Sequence, residues 1–113
     1  MIKGVHAMLS STDAAKTRAF FRDVMGLPFY DSDGQGWLMF TPPEADVGVH
    51  PAERPGHSIS FYCDDLQATV AELKAKGATF PQPVREEDWG FVAMLEVPGA
   101  GEVELYQPKY GKA

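Results

Sequence analysis

The sequence predicts an α+β fold in which a βαβββ module occurs twice within a single domain. Three observations predict it: an internal repeat, the same order of strand-like and helix-like segments in both halves, and a length of 113 residues, which suits one domain. At an offset of 51 residues the repeat aligns four identical pairs: His6 with His57, Asp13 with Asp64, Gly26 with Gly77, and Phe29 with Phe80. The repeat assigns residues 1–51 to module one, residues 56–108 to module two and residues 109–113 to a short tail.

Each module opens with a strand-like run, residues 2–9 and 58–63, that leads into a helix. Side-chain oxygens that can accept from the unpaired N–H groups of a helix start precede both helices: Ser11, Thr12 and Asp13 in one, Asp64 and Asp65 in the other. Apolar residues then recur at helical spacing: Phe20, Phe21 and Val24, then Leu66, Val70 and Leu73. Gly26 and Gly77 are predicted to end the helices, because glycine adopts positive φ readily.

Three short strands are predicted after each of these glycines. They are residues 28–32, 36–41 and 46–50 in module one, and residues 84–87, 91–97 and 102–107 in module two. The stretches "DSDGQG" and "VPGAG" are typical of turns, since their glycines tolerate turn dihedrals. The offset grows to 54 here, because Gly36-Trp37 aligns with Gly90-Phe91. With that offset, His50 aligns with Glu104.

The repeat places four polar residues at matched positions. His6 and His57 lie on the first strand of each module, and His50 and Glu104 lie on the last. Because strand side chains alternate, Glu104 should face away from its neighbours Val103 and Leu105. Imidazole nitrogen and carboxylate oxygen are good donors to a borderline divalent ion. The alternative is that these are hydrogen-bonded strand residues or solvent-facing side chains.

The chain resembles the vicinal oxygen chelate superfamily, which includes glyoxalase I, extradiol dioxygenases, and fosfomycin- and bleomycin-resistance proteins. The resemblance lies in "HAMLSSTDAAKTRAFFRDVMGL", "GHSISFYCDDLQATVAELKAKGA" and "WGFVAMLEVPGAGEVELYQP". It implies that the two modules form an eight-stranded, incompletely closed, mixed-sheet cup, with the helices outside and a divalent metal inside. His6, His57 and Glu104 match the superfamily's ligands, and His50 stands where glyoxalase I has glutamate or glutamine.

The resemblance therefore implies a metalloenzyme whose metal chelates vicinal oxygens of a small-molecule substrate. Two histidines and a carboxylate suit Fe(II) oxygen chemistry, while three histidines and a glutamate suit Zn, Ni or Mn as a Lewis acid. The reaction class stays open between a dioxygenase and a lyase or isomerase. Glu104 is expected to be a ligand that doubles as a base. If His50 is not a ligand, it is the expected proton carrier.

The alternative function is that of a metal-free drug- or ligand-binding protein of the bleomycin-resistance type. Sixteen acidic residues against ten basic ones give a net charge of −6, which suits a cationic ligand. The candidate pocket residues are aromatic: Trp37, Phe40, Tyr62, Trp89, Phe91 and Tyr106. Such strand aromatics also serve simply as packing residues.

The composition of the chain argues against two classes of partner. The acidic balance argues against nucleic acid, which selects a basic surface, and against an anionic membrane. No apolar run approaches the length of a membrane span. A cytoplasmic location is expected. The single cysteine, Cys63, is expected to be buried and to behave as a small apolar side chain. A homodimer is expected because sheet edges and flat apolar faces need covering.

Overall fold

The computed structural model of the chain describes residues 1, 6–46, 48–49 and 51–109, and within them it shows an α+β fold of two helices and six strands. The elements follow the order that the repeat predicts. They are α1 (Ala14–Asp23), β1 (Phe29–Asp31), β2 (Leu38–Phe40), β3 (Ser60–Tyr62), α2 (Leu66–Ala75), β4 (Arg85–Glu87), β5 (Gly90–Val97) and β6 (Gly101–Pro108). None of the helices in the described part of the chain is long and apolar enough to cross a membrane.

The strands form two separate sheets. The larger sheet has the order β3-β6-β5-β4, with β3 parallel to β6 and the other neighbours antiparallel. The smaller sheet is the antiparallel β1–β2 pair. Residues 60–108 therefore contain every element of a βαβββ module, as the sequence predicts for module two.

The eight-stranded cup is not confirmed in the part of the chain that the structure describes. Two of the predicted strands do not form where the structure describes them. Neither residues 6–9 nor residues 46, 48 and 49 lie in a strand. The remainder of those two predictions, residues 2–5, 47 and 50, falls outside the described residues. The sequence around residues 42–56 is rich in proline and glycine, which explains the second difference: proline cannot donate to a ladder, and glycine weakens a strand.

The hydrophobic core lies on one face of the larger sheet. Alternate residues of β5 and β6 point to it, and Leu95, at the centre of β5, is fully buried. Both helices contribute to this core, α1 through Phe21 and α2 through Leu66, Val70 and Leu73. The ring of Phe21 meets those of Phe40 and Phe61 edge-on at centroid distances of 5.3 and 5.9 Å, an arrangement that aromatic pairs favour. Module one therefore shares its core with module two.

The helix ends carry the predicted signals. The Asp13 carboxylate accepts from the backbone N–H of Lys16 at 3.2 Å, and the Asp65 carboxylate accepts from that of Ala68 at 3.0 Å. Asp65, rather than Asp64, is the N-cap of α2. Gly26 and Gly77 follow the two helices with φ of 66° and 94°, as predicted for residues that end a helix.

The start of α1 is hydrogen-bonded to the β5–β6 turn. The N–H of Thr12 donates to the carbonyl of Gly99 at 2.8 Å, and the buried Thr17 hydroxyl donates to the carbonyl of Pro98 at 2.5 Å. Gly99 has φ of 80°, and a Cβ at this position would lie 2.5 Å from the Ser11 hydroxyl oxygen. The same Cβ would lie 3.0 Å from both the backbone nitrogen and the carbonyl oxygen of Asp13, so the turn fits closely against the start of α1 as glycine.

We expect Gly99→Ala to lower the free energy of unfolding by roughly 2–3 kcal/mol, because the clash with Ser11 adds to the cost of positive φ. Gly101→Ala is the matched control. Gly101 has φ of 74°, but an added Cβ would meet nothing within 4 Å, so this variant should lose only about 1–2 kcal/mol. Urea unfolding of both variants measures the difference, and equal losses would contradict the packing described at Gly99.

Candidate functional site

The face of the larger sheet that points away from the core forms the candidate site, and we call it the open face. Strand alternation directs to it the residues that lie between core positions. Across β3, β6 and β5 these residues align in two rows: Ser60, Glu104 and Met94 in one, and Tyr62, Tyr106 and Val92 in the next. One row thus offers a carboxylate and the other offers phenol rings.

Glu104 is the half-buried carboxylate at the centre of its row. The Ser60 hydroxyl donates to its Oε2 atom at 2.5 Å. Glu102 lies two residues earlier on the same face of β6 and is directly opposite Glu96 of β5. The two glutamates of β6 therefore give one part of the open face a negative charge.

A cavity of ≈ 460 Å³ lies at this acidic part of the open face. Glu102, Glu104, Ser60 and Met94 line it from the sheet, and His57 lines it from the segment before β3. The segment Met8, Leu9 and Ser10 of module one forms another part of the lining. The cavity is an open depression, and its volume lies within the range of about 300–1,000 Å³ that small-ligand pockets span.

Three aromatic rings continue the open face beyond Glu104. The Tyr62 and Tyr106 centroids are 6.2 Å apart, and the Trp89 ring meets Tyr106 at 5.8 Å with an interplanar angle of 66°. The Trp89 side chain is 44% exposed, whereas Val92, opposite Tyr106, is buried. Rings of this kind provide flat apolar area whose electron-rich faces attract cations.

The structure brings together two of the four predicted metal ligands. His57 and Glu104 line the same cavity, while His6 is exposed and does not line it. His50 lies outside the described residues. Among the described residues, histidine, cysteine and acidic side chains form no group of three that could hold a metal ion. Zinc sites in proteins use three or four protein ligands, so the described donors do not by themselves fit a metal centre.

The six predicted pocket aromatics lie in three different places. Tyr62, Trp89 and Tyr106 meet at the open face, as described above. Phe40 and Phe91 pack against the hydrophobic core instead. Trp37 lies just before β2, where the Arg18 guanidinium sits 4.5 Å from its ring centroid.

Sequence reasoning did not identify Ser60, Met94 or Glu102 as site residues. For Glu102 a signal existed, since it lies two positions from Glu104 and must share its face. Ser60 and Met94 reach Glu104 only through pairing between strands that are distant in the sequence. No short-range sequence pattern predicts such pairing.

Cys63 follows β3, and its side chain packs against the hydrophobic core. Burial raises the pKa of its thiol; a hydrogen bond with Thr69 lowers it, and the charge of Asp64 adds to the increase. A thiol held in its neutral form is a weak nucleophile. Cys63 is therefore a packing residue outside the candidate site.

Comparison with known proteins identifies the fold independently. The family model described as "Glyoxalase/Bleomycin resistance protein/Dioxygenase superfamily" matches residues 4–99. A solved member of that superfamily from Sphaerobacter thermophilus DSM 20745 shares 20% identity, with a TM-score of 0.70 over 94% of this chain and 98% of that one. No curated protein matches the chain.

Two further solved structures are similar to the chain in fold. TnmS3, an antibiotic-binding protein from Streptomyces sp. CB03234, shares 24% identity, with a TM-score of 0.64 over 95% of this chain and 100% of that one. A lactoylglutathione lyase from Agrobacterium tumefaciens shares 20% identity, with a TM-score of 0.53 over 81% of this chain and 83% of that one. The same fold thus occurs in a protein named as a binder and in one named as an enzyme.

We expect the Cys63 thiol to titrate at higher pH in the native protein than in urea, because burial raises its pKa. Thiolate absorbance against pH, with Cys63→Ala as the baseline, measures both midpoints. Since folding favours the protonated thiol, its contribution to stability should decline as pH rises past the midpoint found in urea. A native midpoint at or below the urea value would contradict the burial of this side chain.

Proposed function

The chain belongs to the glyoxalase/bleomycin resistance protein/dioxygenase superfamily, and we propose that it binds a small cationic aromatic molecule on the open face. The observation that carries this proposal is the register of β3 and β6. It sets the carboxylate row at Glu104 directly beside the aromatic row at Tyr106. A planar cation can place its charge at the first row and its ring at the second.

The distribution of acidic residues supports a cationic ligand. Glu96 and Glu102 are directly opposite each other on neighbouring strands, and Glu104 lies two residues further along the same face. Like charges opposite each other destabilise a sheet, and a bound cation offsets that repulsion. The net charge of −6 also raises the local concentration of cations around the chain.

The aromatic row supports a ligand that carries a ring. Trp89 is partly exposed and lies edge-on against Tyr106, so its ring offers apolar area to a ligand on the open face. A cation near such rings gains about 0.5–2 kcal/mol, depending on how far it is desolvated. Met94 adds a flexible, polarisable side chain that adapts to irregular ligands. The antibiotic-binding protein that shares the fold gives a fold-level analogy in the same direction.

We expect proflavine, a planar aromatic cation, to bind and to quench tryptophan fluorescence, with an affinity that falls as salt is added. Glu104→Gln and Glu102→Gln should each weaken binding about tenfold, equivalent to the loss of one charge interaction. Glu72→Gln is the matched control, because Glu72 is exposed on α2 and pairs with Lys76 at 3.7 Å. The proposal fails if calorimetry finds no binding, or if all three variants bind as the wild type does.

A second candidate function is metal-dependent chemistry on vicinal oxygens of a small molecule, as a dioxygenase, a lyase or an isomerase. One observation favours it: His57 and Glu104, which were predicted as ligands from the repeat, line the same cavity. His6 and His50 would have to complete the set around Fe, Zn, Ni or Mn. In this reading Glu104 is a ligand and base, and His50 is a ligand or the proton carrier. The homodimer and the cytoplasmic location stay predictions for both candidates.

For this second candidate, we expect one divalent ion per chain in protein purified without chelators, as measured by elemental analysis. His57→Ala and Glu104→Ala should both lose the ion, because each removes one of very few donors. Added Ni or Fe should raise the melting temperature of the wild type and of Glu72→Ala, but not of the two ligand variants, since a ligand that binds only the native state stabilises it. Protein that holds no ion and gains no stability from either metal would exclude this candidate.

A further inference from the structure

We propose that Ser60 is a positioning residue, which holds the Glu104 carboxylate in one orientation for the ligand's cationic group. This inference rests on the proposed binding function and adds a determinant of specificity to it. The Ser60 hydroxyl lies 2.5 Å from Oε2 of Glu104, and the contact is partly buried. Charge-assisted O–H···O⁻ bonds have lengths of about 2.5–2.7 Å, which places this contact among the strong ones.

The direction of the hydrogen bond follows from the chemistry of the two groups. An ionised carboxylate only accepts, so the Ser60 hydroxyl must donate. Its donation uses one lone pair of Oε2, so Oε1 keeps its full capacity to accept from a ligand. A carboxylate with one oxygen held presents the other in a fixed direction, and that is what selects the position of a bound amine or ring nitrogen.

The backbone creates this contact. Ser60 is directly beside Glu104 in the parallel pairing of β3 with β6, and Met94 is directly opposite Glu104 on the other side. The Met94 thioether is only a weak acceptor, so of these two cross-strand neighbours Ser60 alone can donate. Glu102 carries the same charge on the same face and gives Glu104 no attraction of its own. Of the two residues paired with Glu104 in the ladders, only Ser60 can therefore hold its carboxylate through a hydrogen bond.

A double-mutant cycle with proflavine tests the coupling. Ser60→Ala should weaken binding about three- to tenfold, and Ser60→Thr, which keeps the hydroxyl, should restore most of it. In a Glu104→Ala background, Ser60→Ala should have no further effect. Thr69→Ala is the control, because it removes a hydroxyl of α2 that donates to the carbonyl of Asp65 and lies outside the cavity lining. Full affinity in Ser60→Ala, or an equal loss in both backgrounds, would overturn the proposal.

A measurement without ligand separates this inference from the proposed function. Side-chain NMR couplings of Glu104 should report a single rotamer in the wild type and in Ser60→Thr, but averaged rotamers in Ser60→Ala. Averaged couplings in the wild type would overturn the positioning role even if proflavine binds. The protein could also show no binding of proflavine and yet a single Glu104 rotamer that is lost in Ser60→Ala. That result would support the positioning role and remove the ligand proposed for it.

Discussion

The pairing of β5 with β6 is the constraint on which both the core and the candidate site depend. The two strands are in register from Gly90 opposite Pro108 to Val97 opposite Gly101. A slip of one residue along this ladder would turn every side chain of one strand to the other face. Glu104 would then enter the core and Leu105 would lie on the open face. The burial of Leu95 and Leu105 therefore selects this register. The same register places the acidic and aromatic rows on the open face.

Contacts at both ends of the hairpin hold this register. At one end, Gly90 lies so close to the carbonyl of Gln107 that a side chain would collide with it. The Gln107 side chain in turn accepts from the N–H of Leu66 at 2.8 Å, which ties the start of α2 to β6. At the other end, Gly99 fits beneath Ser11 and accepts from Thr12. Both helices are thereby anchored to the same hairpin, which explains how one core serves both modules.

The features that the sequence predicted well are those that short-range patterns determine. Both helices, the glycines that end them and the strands of module two follow from periods of 3.6 and 2 residues and from the φ that glycine permits. The face of Glu104 follows from its buried neighbours Val103 and Leu105. Ser60 was out of reach, because its place beside Glu104 depends on a parallel pairing across 44 residues. Phe91 lies two residues before Ala93 on β5, so both side chains face the core. Strand alternation would have predicted this placement of Phe91 from the sequence.

The repeat predicted four donors at equivalent positions of the two modules. In the described structure, equivalent positions in the repeat do not bring all of these donors close together. Internal symmetry places residues on equivalent elements, but a metal centre also requires that their donor atoms converge on one point. Here β1 and β2 form a sheet separate from the one that carries Glu104, and His6 lies in no strand beside it. Glu104 is instead held by Ser60 of its own module. Ser60, Glu104 and Tyr106 of the open face all belong to module two, whereas a metal centre built on the predicted ligands would also need His6 or His50 of module one.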